Sequence, residues 1–323
     1  MKRILAIFMA TAICMSLMAC SGKISDTLSE TLNQLTQESE ETDVVTEQPE
    51  VEIELPTTNN NQNEIYVGTE LEMSDFDEII VADNDECVIK ITGIESESRW
   101  GYVLNVYLEN KSADKNYTFV AEDISVNSVI CSAWFNNEVL AGKKANVDLE
   151  INNTVLKENG IVDYTDIEII FEAYETDNWY DENIVNETIN VYPFGEENAT
   201  TYVRQPQEND TILVDNEYAT VTITGYQLEE DYKYMANVFV VNKTDKNLNI
   251  YADYSSVNGY MVDVYFSGYM LPETSAFGYM AWYVEDLQKN GITSIEEIEL
   301  TITANDGDNW LKELINEQVT FNP

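Results

Sequence analysis

The chain has 323 residues, with 60 acidic and only 16 basic side chains, and its formal net charge is −44. Nucleic acid is therefore excluded as an expected partner, because phosphate contacts need a basic surface. Histidine is absent, which excludes Ser-His-Asp and Cys-His catalysis and His-ligated zinc. We expect no cofactor and no metal, and an enzyme of this composition would have to rely on carboxylates.

Residues 1–19 predict a signal peptide. Lys2 and Arg3 precede an apolar run that is shorter than the roughly 20 residues of a membrane-spanning helix. The ending "LMAC" at residues 17–20 resembles the lipobox of bacterial lipoproteins. This resemblance implies that Cys20 carries lipid and anchors the chain to the bacterial cell membrane on its extracytoplasmic side. A secreted protein cut near Ala19 is the alternative.

Residues 20–75 predict a disordered acidic stalk. Thr, Glu, Gln, Ser and Asn dominate, as in "TQESEETDVVTEQPE", and no Lys or Arg occurs between Lys23 and Lys90. Such a segment buries too little apolar surface to offset the loss of chain entropy on folding. We therefore expect an extended tether between the membrane and the folded part of the chain.

The remainder of the chain repeats itself at an offset of about 131 residues. "VIKITGI" from Val88 is matched by "TVTITGY" from Thr220, and "DISVNSVICSAWF" from Asp123 is matched by "YSSVNGYMVDVYF" from Tyr254. Matches of this kind run from end to end, which indicates that a whole domain is duplicated. The repeat predicts domain 1 at residues 76–193, a linker at 194–210 and domain 2 at 211–323.

Within each copy, apolar and polar residues alternate. In one segment, Ile167, Ile169 and Phe171 alternate with Glu168, Ile170 and Glu172. Short half-buried strands joined by turns such as "NKSADKN" are typical of antiparallel sandwiches. We therefore predict an all-β fold, with two tandem immunoglobulin-like antiparallel β-sandwiches after the disordered stalk. One helical turn interrupts each copy, and Gly160 and Gly291 fit helix C-terminal caps.

The recurring motifs suggest a family. Strands that end in "ENKS" or "VNKT", a central "SVN", and the turn "NGI" before "DIEIIF" or "EIELTI" resemble telokin-like, immunoglobulin-like modules of bacterial surface lipoproteins. The resemblance covers residues 79–193 and 211–323. It implies a fold and little about function, because the matching positions are turns and core residues, and no catalytic residue can be carried over.

Cys87 and Cys131 are the cysteines that lie beyond the lipobox. By alternation both point inward, and an extracytoplasmic pair is able to form a disulfide. The alternative is two reduced thiols that act as small apolar core residues. The second copy has alanine and valine at these positions, Ala219 and Val262.

Two acidic loops and four repeated lysines have local explanations. "ETDNWYDEN" from Glu175 and "NDGDNW" from Asn305 are rich in oxygen but lack the ordered spacing of a calcium loop, so we predict ordinary turns. The lysines are predicted to neutralise neighbouring acids rather than to bind a ligand. They are Lys111, Lys115, Lys243 and Lys246.

Tyrosines are concentrated in the second copy. If two of its strands are neighbours, five large side chains form one exposed patch: Met261, Tyr265, Phe277, Tyr279 and Tyr283. Exposed apolar patches usually mark interfaces, and tyrosine supplies contact area with a polar tip. We predict a ligand-binding surface for a glycan, a peptide or a protein. The alternative is that this patch packs against the first domain or the linker.

Together these features predict a membrane-anchored, non-enzymatic lipoprotein that displays two immunoglobulin-like binding or adhesion modules. The first alternative is a carboxylate-dependent cell-wall or glycan hydrolase, which needs two acids in a cleft. The second is an envelope accessory protein that holds a membrane partner.

Overall fold

The structure, a computed structural model, describes residues 73, 75–98, 101–180, 182–229 and 232–323. The predicted signal peptide, Cys20 and nearly all of the predicted stalk lie outside the described residues. Among the helices of the described part, none has the length and apolar character needed to cross a membrane. All described residues belong to one compact unit.

The first copy consists of short strands and one helix. In chain order these are β1 (Ile79–Asp83), β2 (Cys87–Ser98), β3 (Gly101–Asn110), β4 (Tyr117–Val126), β5 (Val129–Cys131), β6 (Ala133–Trp134), β7 (Asn136–Val139), β8 (Lys144–Ile151), α1 (Thr154–Glu158), β9 (Ile167–Glu175) and β10 (Val185–Val191). One turn of 3-10 helix, Thr176–Asn178, follows β9, and another, Glu196–Asn198, lies in the linker.

The second copy follows the same plan. Its elements are β11 (Thr211–Asp215), β12 (Ala219–Glu229), β13 (Lys233–Asn242), β14 (Leu248–Val257), β15 (Tyr260–Met261), β16 (Ser267–Met270), β17 (Ser275–Tyr283), α2 (Val284–Lys289), β18 (Ile298–Asp306) and β19 (Asn309–Phe321). The strands of both copies fall inside the residue ranges that the sequence repeat predicts.

Two sheets build each copy. In the first copy, β1-β2-β3-β8-β6 form one sheet and β10-β9-β4-β5 belong to the other, with β7 also paired to β4. In the second copy, the corresponding sheets are β11-β12-β13-β17 and β15-β14-β18-β19, with β16 paired to β14. The paired strands within each copy are antiparallel. The predicted all-β fold class, built from antiparallel sheets, is confirmed.

Strand alternation places the apolar side chains of both sheets in one core per copy. Ile167, Ile169 and Phe171 are fully buried in β9, and Leu149 of the opposite sheet packs in the same cluster. A second cluster surrounds the buried Trp282. Because the side chains of a strand point to alternate faces, the sequence period of two specifies which face each sheet turns inward.

The two copies share their strand register as well as their sequence. Ser125 of β4 pairs with Ile130 of β5, and their counterparts Ser256 and Met261 pair in the same way between β14 and β15. The turns and strands that contain these residues therefore correspond between the two copies.

The helices end at the predicted glycines. Gly160 follows α1 with φ 76° and Gly291 follows α2 with φ 69°. After α1, the N–H of Ile161 bonds to the carbonyl of Leu156 at 2.9 Å. A left-handed residue that reverses the chain after the last turn is the usual glycine cap.

The four repeated lysines pair with neighbouring acids, as predicted. A buried asparagine holds the turn between β3 and β4 in the first copy (Asn110) and between β13 and β14 in the second (Asn242). Its side-chain amide donates to nearby backbone carbonyls, and the lysines lie around that turn. The pairs are Lys111 with Asp83, Lys115 with Glu175, Lys243 with Asp215, and Lys246 with Asp306.

The structure holds Cys87 and Cys131 as free thiols, which favours the alternative of two reduced core residues over a disulfide. Cys87 begins β2 near the acid Glu86, whose carboxylate accepts a hydrogen bond from Tyr117 at the start of β4. Cys131 instead pairs with Ile124, near the far end of β4. Seven residues of strand separate the two positions by roughly 20 Å, whereas a disulfide needs Cα atoms within about 7 Å.

The two sandwiches meet along one sheet. β5 of the first copy pairs in parallel with the start of β17, through Val129 and Ser275. The sheets β10-β9-β4-β5 and β17-β13-β12-β11, together with β7 on β4, thereby become one nine-stranded sheet. Ile130 packs against the second core and Phe277 packs against the first. We call this contact the junction.

Candidate functional site: tyrosines on the second sandwich

Strand β17 carries three of the five residues predicted to bind a ligand. Phe277, Tyr279 and Tyr283 point away from the second core, while Met280 and Trp282 between them are fully buried. The indole N–H of Trp282 donates to the hydroxyl of buried Ser255 at 2.8 Å. The predicted facing of the strand is therefore confirmed, because a slip of one residue would have turned the tyrosines inward.

Four tyrosines lie on this outer side and form what we call the tyrosine face: Tyr232, Tyr265, Tyr279 and Tyr283. The rings of Tyr265 and Tyr283 meet edge to face with centroids 4.8 Å apart, and those of Tyr232 and Tyr283 with centroids 5.1 Å apart. Exposed fractions are 56% for Tyr232, 50% for Tyr265 and 49% for Tyr279. The rings of Tyr232, Tyr265 and Tyr283 are therefore ordered by mutual contact, and the face is still accessible to a ligand.

Backbone pairing positions Tyr265. Its N–H donates to the carbonyl of Ala281 at 2.9 Å, and the N–H of Ala281 donates back to the Tyr265 carbonyl at 3.0 Å. Directly paired residues project to the same side of a sheet. Tyr265 therefore lies beside Ala281, between Tyr279 and Tyr283, which occupy the next outward positions of β17.

Lys233 adds one positive charge to this surface. Its ammonium nitrogen lies 5.2 Å from the ring centroid of Tyr232 and 5.4 Å from that of Tyr283, within cation–π range. The hydrogen bond between Tyr232 and Tyr283, together with their proximity, raises the pKa of Tyr232. The Tyr232 hydroxyl therefore stays neutral and cannot add to the negative charge of the chain.

Amide groups flank Tyr279. Its partner on β13 is Asn237. The side-chain amide of Gln227 on β12 donates to the side-chain oxygen of Asn237 at 3.1 Å. Ring faces beside amides and hydroxyls offer both apolar area and hydrogen bonds. This combination suits polar ligands such as sugars or peptide backbones.

Phe277 is half-buried against the first core and the linker, so we do not include it in the tyrosine face. Tyr202 of the linker lies across it, with ring centroids 5.9 Å apart, and Phe239 lies 4.8 Å away on the other side. The linker is held there because Arg204 makes a two-pronged ion pair with Asp210 at 2.6 and 2.8 Å. The alternative that the patch packs against the linker and the first domain is confirmed at this position.

Met261 is exposed, but it does not lie beside the tyrosines. It belongs to β15, which pairs with β14 in the opposite sheet. The chain crosses from that sheet to the edge of β17 only at Tyr265. The predicted five-residue patch is therefore corrected to the tyrosine face, with Met261 on a separate edge.

The first copy lacks this surface. The counterparts of Tyr279 and Tyr283 there are Asp148 and Asn152, and Asp148 accepts a bond from the side chain of Asn105 at 3.4 Å. Trp134, the counterpart of Tyr265, is 79% exposed but stands next to these polar groups. The cluster of rings is a property of the second copy.

Sequence reasoning missed Tyr232, Lys233 and the linker residue Tyr202. Lys233 pairs directly with Tyr283 across β13 and β17, so aligning these two strands would have placed it beside that ring. Tyr232 precedes β13, and strand alternation does not place its side chain. No local pattern indicates that Tyr202 folds back onto Phe277, because that contact depends on the path of the whole linker.

The first copy carries a cleft of about 710 Å³ beside the hairpin β9–β10. Four carboxylates line it, those of Asp85, Glu86, Glu175 and Glu182, together with Lys115 and Tyr117. Lys115 lies 2.9 Å from Glu175 and holds the pKa of that carboxyl below its ordinary value. A hydrolase acid needs the opposite shift, so Glu175 is unsuited to protonate a leaving group.

The acidic loops are turns. Residues Thr176–Asn178 form a single 3-10 turn, and Asp306 accepts the N–H of Asp308 at 3.2 Å while pairing with Lys246 and Lys312. In the part of the chain that the structure describes, no group of three or more acids or cysteines is arranged to hold a metal ion.

Comparisons with known proteins add little. No protein-family model and no curated protein matches the chain. The YadV chaperone structure is 12% identical, covers 73% of this chain and 100% of its own, and has a TM-score of 0.24. The Salmonella enterica SafA pilin in complex with the SafB chaperone is 11% identical, with 68% and 89% covered and a TM-score of 0.18. Neither likeness is strong enough to support an argument about this chain.

Proposed function

We propose that this protein is a lipid-anchored extracytoplasmic lipoprotein that binds a ligand through the tyrosine face and has no catalytic activity. The observation that carries the proposal is the arrangement of Tyr232, Tyr265 and Tyr283, whose rings contact one another yet remain open to solvent. Rigid, exposed aromatic clusters are typical of binding surfaces, since tyrosine gives contact area at low entropy cost.

The charges narrow the class of ligand. The face carries neutral hydroxyls and the ammonium of Lys233, but the chain around it has a net charge of −44. Strongly anionic molecules are repelled at long range, which disfavours nucleic acid and acidic polymers. We expect a neutral or weakly basic glycan, peptide or protein segment.

A binding screen with matched variants tests the proposal. The double variant Tyr279→Ser, Tyr283→Ser removes two rings of the tyrosine face without touching either core, and Tyr180→Ser removes a more exposed ring on the first copy. We expect arrays of glycans, cell-wall fragments and envelope proteins to bind the native chain and the Tyr180→Ser control but not the double variant. Binding that survives in the double variant would place the site elsewhere.

The purified protein and its variants also test the two alternative functions, a carboxylate hydrolase and an envelope accessory protein. A carboxylate hydrolase would release reducing ends from glycan substrates, and Glu175→Gln would abolish that release. An envelope accessory protein would be recovered from detergent extracts with a membrane-protein partner and with no glycan. We expect neither result.

A further inference from the structure

The junction uses one edge of each copy and leaves the counterpart edge of each copy free. It pairs β5 of the first copy with the start of β17 in the second. By the repeat, β15 is the second copy's counterpart of β5, and β8 is the first copy's counterpart of β17. Among the described strands, β15 pairs only with β14, and on its outer edge β8 pairs only at its far end, with β6.

The free edge on the second copy is apolar. Tyr260 and Met261 are 53% and 69% exposed, and they are the counterparts of Val129 and Ile130. In the junction, Val129 is fully buried and Ile130 packs against the core of the other sandwich. Exposed edges are usually blunted by charge, proline or a covering segment, since an open ladder invites pairing. Large apolar residues at this edge therefore fit a surface that is covered in use.

The charges of the two free edges are complementary. Lys143 and Lys144 are exposed at the start of β8, where Lys144 also pairs with Glu109 at 3.1 Å. On the second copy, Glu296 and Glu297 are exposed beside β15, and their N–H groups donate to the side-chain oxygen of Asn258 at 2.8 and 3.1 Å. Basic residues are scarce in this chain, with 16 against 60 acids, so two adjacent lysines at this edge are notable as a match for two adjacent glutamates.

The used edges lack such a charge pattern. The counterparts of Lys143 and Lys144 in the junction are Thr274 and Ser275, and those of Glu296 and Glu297 are Thr165 and Asp166, so the used edges have one acid and no lysine to face it. Contact between copies within one chain needs no charge attraction, because the linker already keeps the two copies close. A contact between separate molecules of this acidic chain needs a local match of opposite charges, because the net charges repel at long range and complementary pairs set the register.

We propose that β15 of one molecule docks against the start of β8 of a second copy of this chain, repeating the junction between molecules. Met261 then takes the place of Ile130, and Lys143 and Lys144 face Glu296 and Glu297. The contact joins two different surfaces, so it does not close into a symmetric dimer. It extends into a head-to-tail row of molecules, as heterologous contacts do. This inference does not depend on the tyrosine face.

Cysteine cross-linking in the full chain tests the geometry. Cys87→Ala and Cys131→Val, the residues of the second copy, first remove the buried thiols. Lys144→Cys with Tyr260→Cys then marks the two free edges, and Val129→Cys with Ser275→Cys marks the same positions in the junction. Under mild oxidation the junction pair should close within one chain, and the free-edge pair should give a ladder of dimers, trimers and longer products. The chain without added cysteines should give no ladder.

Charge reversal then tests the occupant. Lys143→Glu, added to one cross-linking chain that keeps Lys144→Cys, should reduce the ladder several-fold, and so should Glu296→Lys with Glu297→Lys in another. Mixing the two reversed chains should restore cross-links between them. If the junction pair closes but the free-edge pair stays monomeric, stops at a dimer, or couples to a different protein, the proposal is overturned.

Discussion

The backbone N–H of Ser275 in the second sandwich donates to the carbonyl of Ser128 in the first, at 2.8 Å. Ser128 has a φ of 63°, in the left-handed region that serine rarely adopts, and its counterpart in the second copy is Gly259. The junction is therefore built on a tight turn that directs its carbonyl toward the neighbouring sandwich.

Phe277→Ala should destabilise the protein by about 2 kcal/mol, because it opens a gap between Tyr202, Phe239 and the first core. Tyr279→Ala, two residues along the same strand face, should cost less than about 0.5 kcal/mol, since that ring is exposed. Urea denaturation of both variants measures the difference. Equal losses would mean that Phe277 does not hold the junction together.

Asn127→Gly should cost about 2–3 kcal/mol, at about 1 kcal/mol for each hydrogen bond that is lost. The side-chain oxygen of Asn127 accepts the N–H groups of Thr165 and Asp166, and its amide donates to the carbonyl of Asp163. Asn127→Ala should cost about 1 kcal/mol more, because Asn127 has a φ of 51° and glycine tolerates that conformation better. Chemical denaturation that ranks alanine above glycine in stability would contradict this account.

Both core thiols should be unreactive in the folded protein. Burial raises the pKa of Cys87 to about 11 and that of Cys131 to about 12, and only the thiolate attacks a disulfide reagent. At pH 8 we expect no reaction with Ellman's reagent until denaturant is added. Cys131→Val should then remove one thiol from the count. Denatured protein that lacks both thiols before reduction would indicate the disulfide after all.

Asp306 should make stability depend on acidic pH. Its ion pairs with Lys312 and Lys246 lower its pKa in the folded state. A lowered pKa adds stability above the unfolded value of about 3.9, and that contribution is lost as the pH falls through the folded value. Between pH 6 and pH 3, the urea midpoint of the native protein should therefore fall further than that of Asp306→Asn. Parallel declines would rule out this contribution.

Cys20→Ala should release the protein from membranes and leave the folded part unchanged, since thioether acylation needs that thiol. Cys14→Ala, within the predicted signal peptide, serves as the control and should stay bound. Fractionation of cells followed by washing of the membrane pellet measures this. Recovery of the Cys20→Ala protein in the washed pellet would refute the lipobox interpretation.

The strands, and the side to which each of their residues points, were predictable because side chains alternate along every strand. In β9 the pleat sends Ile167, Ile169 and Phe171 to one side, and no long-range information is needed to read that period. The repeat extended the same reading to β17, which is why Tyr279 and Tyr283 were placed correctly on the outer side.

The errors share a different cause, which is the path of the chain between strands. Met261 and Tyr265 are four residues apart, yet the chain changes sheets between them, so neighbouring positions in sequence end on different surfaces. The Tyr202–Phe277 contact and the separation of Cys87 from Cys131 likewise depend on which ends of the strands meet. Alternation carries no information about these distances.

The narrowness of the junction has a mechanical consequence. Within the second sandwich, β13 and β17 are joined by a ladder of nine residue pairs, from Lys233–Tyr283 to Val241–Ser275, whereas β5 and β17 are joined by one pair, Val129–Ser275. Force applied across the two sandwiches would load this single pair and the rings around Phe277 before it loaded either ladder. The junction would then separate first. The linker held by Arg204 and Asp210 would extend while both cores remained folded.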